Sequence, residues 1–100
     1  LDRLANQWGQ RLREAGVKAG DRVAVVMEKG WEQIVAEVGA LRAGAAYVPL
    51  DPGQPSERLR YMLENSGAAA ILTQSRVDRR LQWPAAPPTL RHVRPSPTTD

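Results

Sequence analysis

Short β-branched runs alternate along this chain with longer segments whose apolar side chains recur every three or four positions, and a glycine marks most of the junctions. That alternation is the signature of helices packed on a parallel sheet. In residues 1–15, Leu1, Leu4, Ala5, Trp8 and Leu12 make one helical stripe, and Gly16 follows as its stop. A turn at Ala19-Gly20-Asp21 leads into Val23-Ala24-Val25-Val26-Met27, the composition of a strand buried on both faces, with Arg22 and Glu28 at its wet ends.

The spacing predicts a second helix over residues 31–43, with Ile34, Val35, Val38 and Leu41 inward and Glu32, Glu37 and Arg42 toward water. Gly44 stops it, and a strand over residues 45–50 follows, closed by Pro49, which has no N–H to donate to a ladder. Residues 51–55 form a loop with two prolines. A third helix, residues 56–66, carries Leu59, Met62 and Leu63 on one side and ends at Gly67. Residues 68–72 read as a third strand, residues 75–81 as a short helix capped by Ser75, and residues 84–100 as a proline-rich linker with one weak strand at 90–93.

The fold class is therefore α/β, a partial parallel sheet with flanking helices joined by right-handed crossovers. Three strands leave bare edges, so the layout is expected to be part of a larger sheet and of low stability alone. Domain organisation follows: residues 1–83 are one incomplete unit, and residues 84–100 a linker or weakly ordered tail. Leu1 in place of an initiator methionine implies that the natural start lies upstream.

Charge and composition exclude several functions. The net charge of +3 is uneven. Residues 1–75 hold nine basic and nine acidic side chains, so the excess belongs to the five arginines after them. Those arginines are sparse and have only Trp83 as a nearby aromatic, which argues against a nucleic-acid surface. A mean hydropathy of -0.45 and the lack of a long apolar run argue against a membrane span. Without cysteine there is no disulfide framework, thiolate site or thiol nucleophile, which suits a reducing compartment, and the cytoplasm is the expected location.

No catalytic, cofactor-binding or metal-binding residue emerges. Gly39 and Gly44 have the spacing of a phosphate loop, but Ala45 and Ala46 stand where Lys and Ser/Thr belong, and a helix C-terminus repels phosphate. No GxGxxG follows the first strand. His92 is the sole histidine, which removes multi-histidine metal sites and gives a catalytic triad no credible base. Glu28, Glu32 and Glu37 suit a wet helix surface better than a paired-carboxylate site. Trp8, Trp31 and Trp83 are expected to pack. Asp51, between Leu50 and Pro52, is the most informative polar residue, placed to orient a loop by accepting backbone N–H groups.

The run Leu41-Arg42-Ala43-Gly44-Ala45-Ala46-Tyr47-Val48-Pro49-Leu50-Asp51-Pro52 resembles the second core motif of nonribosomal peptide synthetase adenylation domains, L-K-A-G-x-A-Y-V-P-L-D-P. Arg42 for Lys is the one departure. Leu1 to Asn6 resembles the helix after that family's first motif, Ala19 to Val25 its first strand, and Pro55 to Gly67 with Ile71-Leu72-Thr73 the next helix and strand. In that family the motif is chiefly structural and lies in the large N-terminal subdomain.

The resemblance implies that the full protein uses Mg-ATP to convert an amino acid to an acyl-adenylate and then loads a carrier-protein thiol. It also implies, as partners, the remainder of the adenylation domain and the carrier and condensation domains. The phosphate loop, the ribose-binding acid, the side-chain pocket and the late lysine of that chemistry are absent here, and Lys18 and Lys29 lie in no matching motif. The chain is thus expected to be a scaffold part, inactive alone. The same residues would suit a piece of a split, interrupted or degenerate adenylation domain, or of an acyl-CoA or aryl-acid ligase.

Overall fold

The computed structural model describes residues 2–74 and 77. The short helix expected over residues 75–81, the tail with His92 and Trp83, and the boundary near residue 83 lie outside the described residues, Val77 excepted. The elements are α1 (Asp2–Glu14), β1 (Arg22–Val26), α2 (Trp31–Arg42), β2 (Ala46–Leu50), α3 (Ser56–Asn65) and β3 (Ala68–Thr73). All three strands are parallel, in the order β2-β1-β3.

Period-two alternation along β1 sorts two cores. Val23 and Val25 face α1 and α2, where they meet Trp8, Leu12, Val35, Ala36 and Ala40. Ala24 and Val26 face the other way, among Leu50, Leu59, Leu63 and Ile71. The crossover after β1 thus leaves on one face and that after β2 on the opposite face, as two right-handed connections running in opposite directions require. Glycine ends the helices as expected. Gly44 has φ 85°, and the N–H groups of Ala43, Gly44 and Ala45 return to the last-turn carbonyls of α2.

Three expectations are corrected. β2 does not stop at Pro49: it pairs with β1 through Leu50, and Pro49 is tolerated because β2 is an edge strand. The inward face of α2 is Val35, Ala36, Gly39 and Ala40, while Ile34 and Leu41 are exposed. Trp31 is exposed too, whereas Trp8 is buried as expected.

The cause is the close crossing of α2 over α1. A Cβ built on Gly39 would stand 2.5 Å from the Trp8 Cβ and 3.0 Å from the Ala5 carbonyl oxygen, so only small residues fit the seam. Gly39 is therefore a contact point one turn before the helix end, while Gly44 is the stop. Among the described residues, no helix is long and apolar enough to cross a membrane.

Candidate functional site

Ligands of open parallel sheets bind beyond the carboxyl ends of the strands, where adjacent crossovers depart to opposite faces. In the order β2-β1-β3 that point falls between β1 and β3; the open gap of this structure lies on the other side of β1, between the ends of β1 and β2. A crevice of about 410 Å³ occupies it, lined by Met27, Glu28, Lys29, Gln33, Pro49, Leu50 and Asp51.

Each wall has a local cause. After β1 the chain turns at Gly30, whose φ of 153° and ψ of -172° lie in a region open in practice to glycine alone, and α2 starts at the next residue. The exit of β1 is tied to the end of β3. The Thr73 hydroxyl donates to the Val26 carbonyl at 2.9 Å, and the Glu28 N–H donates to Gln74 Oε1 at 3.0 Å. Gln74 Nε2 donates in turn to Glu32 Oε1 at 2.6 Å, fixing the first turn of α2. Gln74 is buried, so both ends of its amide are used where water cannot substitute.

The other wall is the motif loop. Asp51 Oδ1 accepts the Gly53 N–H at 2.9 Å, the loop-orienting role expected of it. Buried Met27 and Leu50 contribute apolar lining.

The chemistry available is modest. The lining residues include one lysine (Lys29), two acids (Glu28 and Asp51) and an amide (Gln33), a charge balance unsuited to a triphosphate. Of the three acids noted in the sequence, Glu32 accepts the Gln74 amide N–H through its carboxylate, while Glu28 is tied to Gln74 by its backbone N–H. Glu37 lies further along α2, half-buried, and desolvation raises its carboxyl above the usual range. Lys18 lies in the turn before β1, where its N–H donates to Asp21 Oδ2 at 2.8 Å. Sequence reasoning missed Met27 and Gln33, because a crevice between parallel strands is a product of topology and leaves no local pattern.

Arg42, the departure from the motif, bridges α2 to α1. Its Nη1 donates to Asn6 Oδ1 at 2.7 Å and to the Asp2 carbonyl at 3.3 Å, and its Nη2 reaches Asp2 Oδ1 at 3.0 Å. Lysine has no planar fork to reach several acceptors at fixed angles in this way.

Residues 1–99 match the family described as AMP-binding enzyme. The chain is 51% identical over 81 residues to gramicidin S synthase 2 of Aneurinibacillus migulanus, covering 81% of this chain and 2% of that protein. It is 47% identical over 78 residues to bacitracin synthase 3 of Bacillus licheniformis, covering 78% of this chain and 1% of that protein. Among solved structures, the nonribosomal peptide synthetase FmoA3 in its AMPPNP-bound form superposes with a TM-score of 0.82 at 49% identity, over 92% of this chain and 10% of that one. The same protein has also been solved bound to alpha-methyl-L-serine-AMP. The fold, the motif in its folded place and these similarities agree: the chain belongs to the AMP-binding enzyme family, and within it is similar to the nonribosomal peptide synthetases.

Proposed function

We propose that this chain is the N-terminal structural part of an adenylation domain in a nonribosomal peptide synthetase. In the reaction of the full domain, a carboxylate oxygen of the amino acid attacks the α-phosphorus of ATP. Pyrophosphate leaves with the electron pair of the broken P–O bond, and an aminoacyl-adenylate remains. A carrier-protein thiol then takes the acyl group and AMP departs.

One observation supports this above the others. The stretch Leu41 to Pro52 runs from the end of α2 through β2 into the Asp51 turn, within a family match that spans residues 1–99. FmoA3, similar over most of this chain, is known with alpha-methyl-L-serine-AMP bound. The contribution of these residues is to hold α2, the crevice and the motif loop in fixed relation, through Gln74 and Asp51.

Nucleotide handling is assigned to other parts of the parent. Among the described residues, no group of three or more His, Asp or Glu side chains is placed to hold a divalent cation. The crevice acids also oppose a polyphosphate. The remainder of the adenylation domain, with carrier and condensation domains, supplies the partners, and the cytoplasm supplies ATP. Residues 1–83 form the structural part, and the proline-rich residues 84–100 are a linker or tail.

The test is amino-acid-dependent ATP–pyrophosphate exchange. The full synthetase polypeptide is expected to exchange label with at least one amino acid of a standard panel, and the 100-residue chain with none. Exchange by the isolated chain, or silence of the full polypeptide across the panel, would overturn the proposal.

A further inference from the structure

Among the described residues two polar side chains are fully or nearly buried, Thr73 at 0% and Gln74 at 6% exposure, and they are consecutive at the end of β3. That end pairs with the end of β1, Thr73 opposite Val26. Both therefore stand at the point between β1 and β3 where an open sheet ordinarily leaves room for a ligand. Here the point is bridged by protein. The Thr73 hydroxyl donates to the Val26 carbonyl. Gln74 accepts the Glu28 N–H at 3.0 Å with its amide oxygen and donates to the Glu32 carboxylate at 2.6 Å with its amide nitrogen.

One buried amide thus fastens both ends of residues 28–32. Between the two attachments lie Lys29, Gly30 and Trp31, with Gly30 at φ 153° and ψ -172°. Glycine gives the turn many alternatives to the observed path. Each hydrogen bond nets only about 1 kcal/mol, but it is directional where apolar contacts are not. The amide does more to choose one path for the turn than to raise overall stability.

We infer that Gln74 is a positioning residue for the reaction of the full domain: it closes the point between β1 and β3 and holds residues 28–32 in the one path that turnover requires. The inference rests on the reading of the parent as an adenylation domain. The turn lies at the carboxyl end of the sheet, the end at which open α/β sheets carry their ligands. It also supplies Glu28 and Lys29 to the wall of the crevice. On that reading nucleotide and amino acid are bound by other parts of the parent, so they bind alike whether the turn is fixed or free. Freeing the turn then lowers the fraction of competent molecules, and the loss falls on kcat and not on KM. Two residues released to a few backbone wells each leave the competent path at about one in ten.

Pyrophosphate exchange by the full synthetase polypeptide tests this on wild type, Gln74→Met, Glu32→Gln and Gln74→Glu combined with Glu32→Gln. Gln74→Met keeps length and bulk and removes both bonds. Glu32→Gln keeps an oxygen to accept from Gln74, and the double variant exchanges donor and acceptor between the two side chains. At a temperature where circular dichroism shows all four folded, kcat is expected to fall about tenfold in Gln74→Met with KM for both substrates within about twofold. The other two variants should stay within about twofold of wild type. Amide exchange over residues 28–30 should quicken about tenfold in Gln74→Met alone. A merely structural tie moves the melting temperature but not kcat per folded molecule.

Should Gln74→Met not fold, Glu32→Ala removes one of the two bonds from the first turn of α2, and a loss of about three- to fivefold in kcat is expected. A kcat equal to wild type in whichever of these variants folds overturns the inference. So does a loss confined to KM, or a loss of kcat with unchanged amide exchange at the turn. Silence of the wild-type polypeptide across the amino-acid panel removes the proposed activity and this inference together, whereas wild-type exchange with kcat intact in the variant removes the inference alone.

Discussion

Replacing Gly39 with alanine isolates the contact that orients α2. On an exposed helix surface the change would stabilise the chain by about 1 kcal/mol, because glycine is the poorer helix former. Here the added methyl would stand 2.5 Å from the Trp8 Cβ and 3.0 Å from the Ala5 carbonyl oxygen. Neither atom is the flexible end of a side chain, so the two helices must part. Forcing a methyl into a packed seam costs typically 1–3 kcal/mol, and the rigid neighbours here put the cost at or above the upper end. Trp8 is 1% exposed, and parting the helices also strips contacts from its ring.

The net expectation for Gly39→Ala is a loss of about 2 kcal/mol, against a total of roughly 4–11 kcal/mol for a unit of about 75 residues. In thermal terms that is a drop of roughly 10 °C in Tm. Urea and thermal unfolding followed by circular dichroism read it directly. Gly9→Ala is the matched control, since its methyl meets the Gly39 carbonyl at 3.1 Å and the Arg42 Cβ at 3.5 Å. A small shift relieves that contact, so the variant should stay within about 1 kcal/mol of wild type. A Gly39→Ala midpoint equal to or above wild type would refute the close-crossing account.

Other expectations follow from single contacts. Arg42→Ala should lose no more than about 1 kcal/mol, because Arg42 and Asp2 are 36% and 89% exposed, and Arg42→Lys should lose roughly half of that. A loss above about 2 kcal/mol in urea unfolding would contradict a surface role. Thr73→Val keeps the side-chain shape but removes the donor to the buried Val26 carbonyl, and should lower stability by about 1 kcal/mol. Glu37 has a raised folded-state pKa, so its contribution to stability is fully present below its ordinary value of 4.5 and is lost as pH rises through the folded value. Glu37→Gln should therefore flatten that stretch of the stability–pH curve, and an unchanged slope in urea midpoints between pH 4 and 7 would count against the desolvation of Glu37.

What could be read from the residues divides along a physical line. Strand composition, helix stops and the Asp51 turn are local, because each depends on what a few neighbouring backbones can do. Gly44, Gly67 and the Gly53-to-Asp51 bond accordingly stand where the sequence places them. The inward face of α2 is different. Trp31, Ile34, Val35, Ala36, Val38, Ala40 and Leu41 put apolar groups around most of its circumference, so periodicity offers no unique stripe, and ranking by size selects Ile34 and Leu41.

Packing against α1 selected by smallness instead, since a large side chain at Gly39 would hold the helices apart. The legible clue was steric complementarity: Ala5 and Gly9, four apart on one helix, against Ala36 and Ala40, four apart on the other with Gly39 between them. The crevice was less legible still. Of its lining residues Asp51, Glu28 and Lys29 were weighed for a role and Pro49 and Leu50 noted as motif positions, but nothing local joins them into a site, because strand order brings the set together. The large residues displaced from the seam then turn outward as Trp31, Ile34 and Leu41. A helix with two apolar faces uses the small one to pack tightly inside its own unit and keeps the large one for whatever covers it.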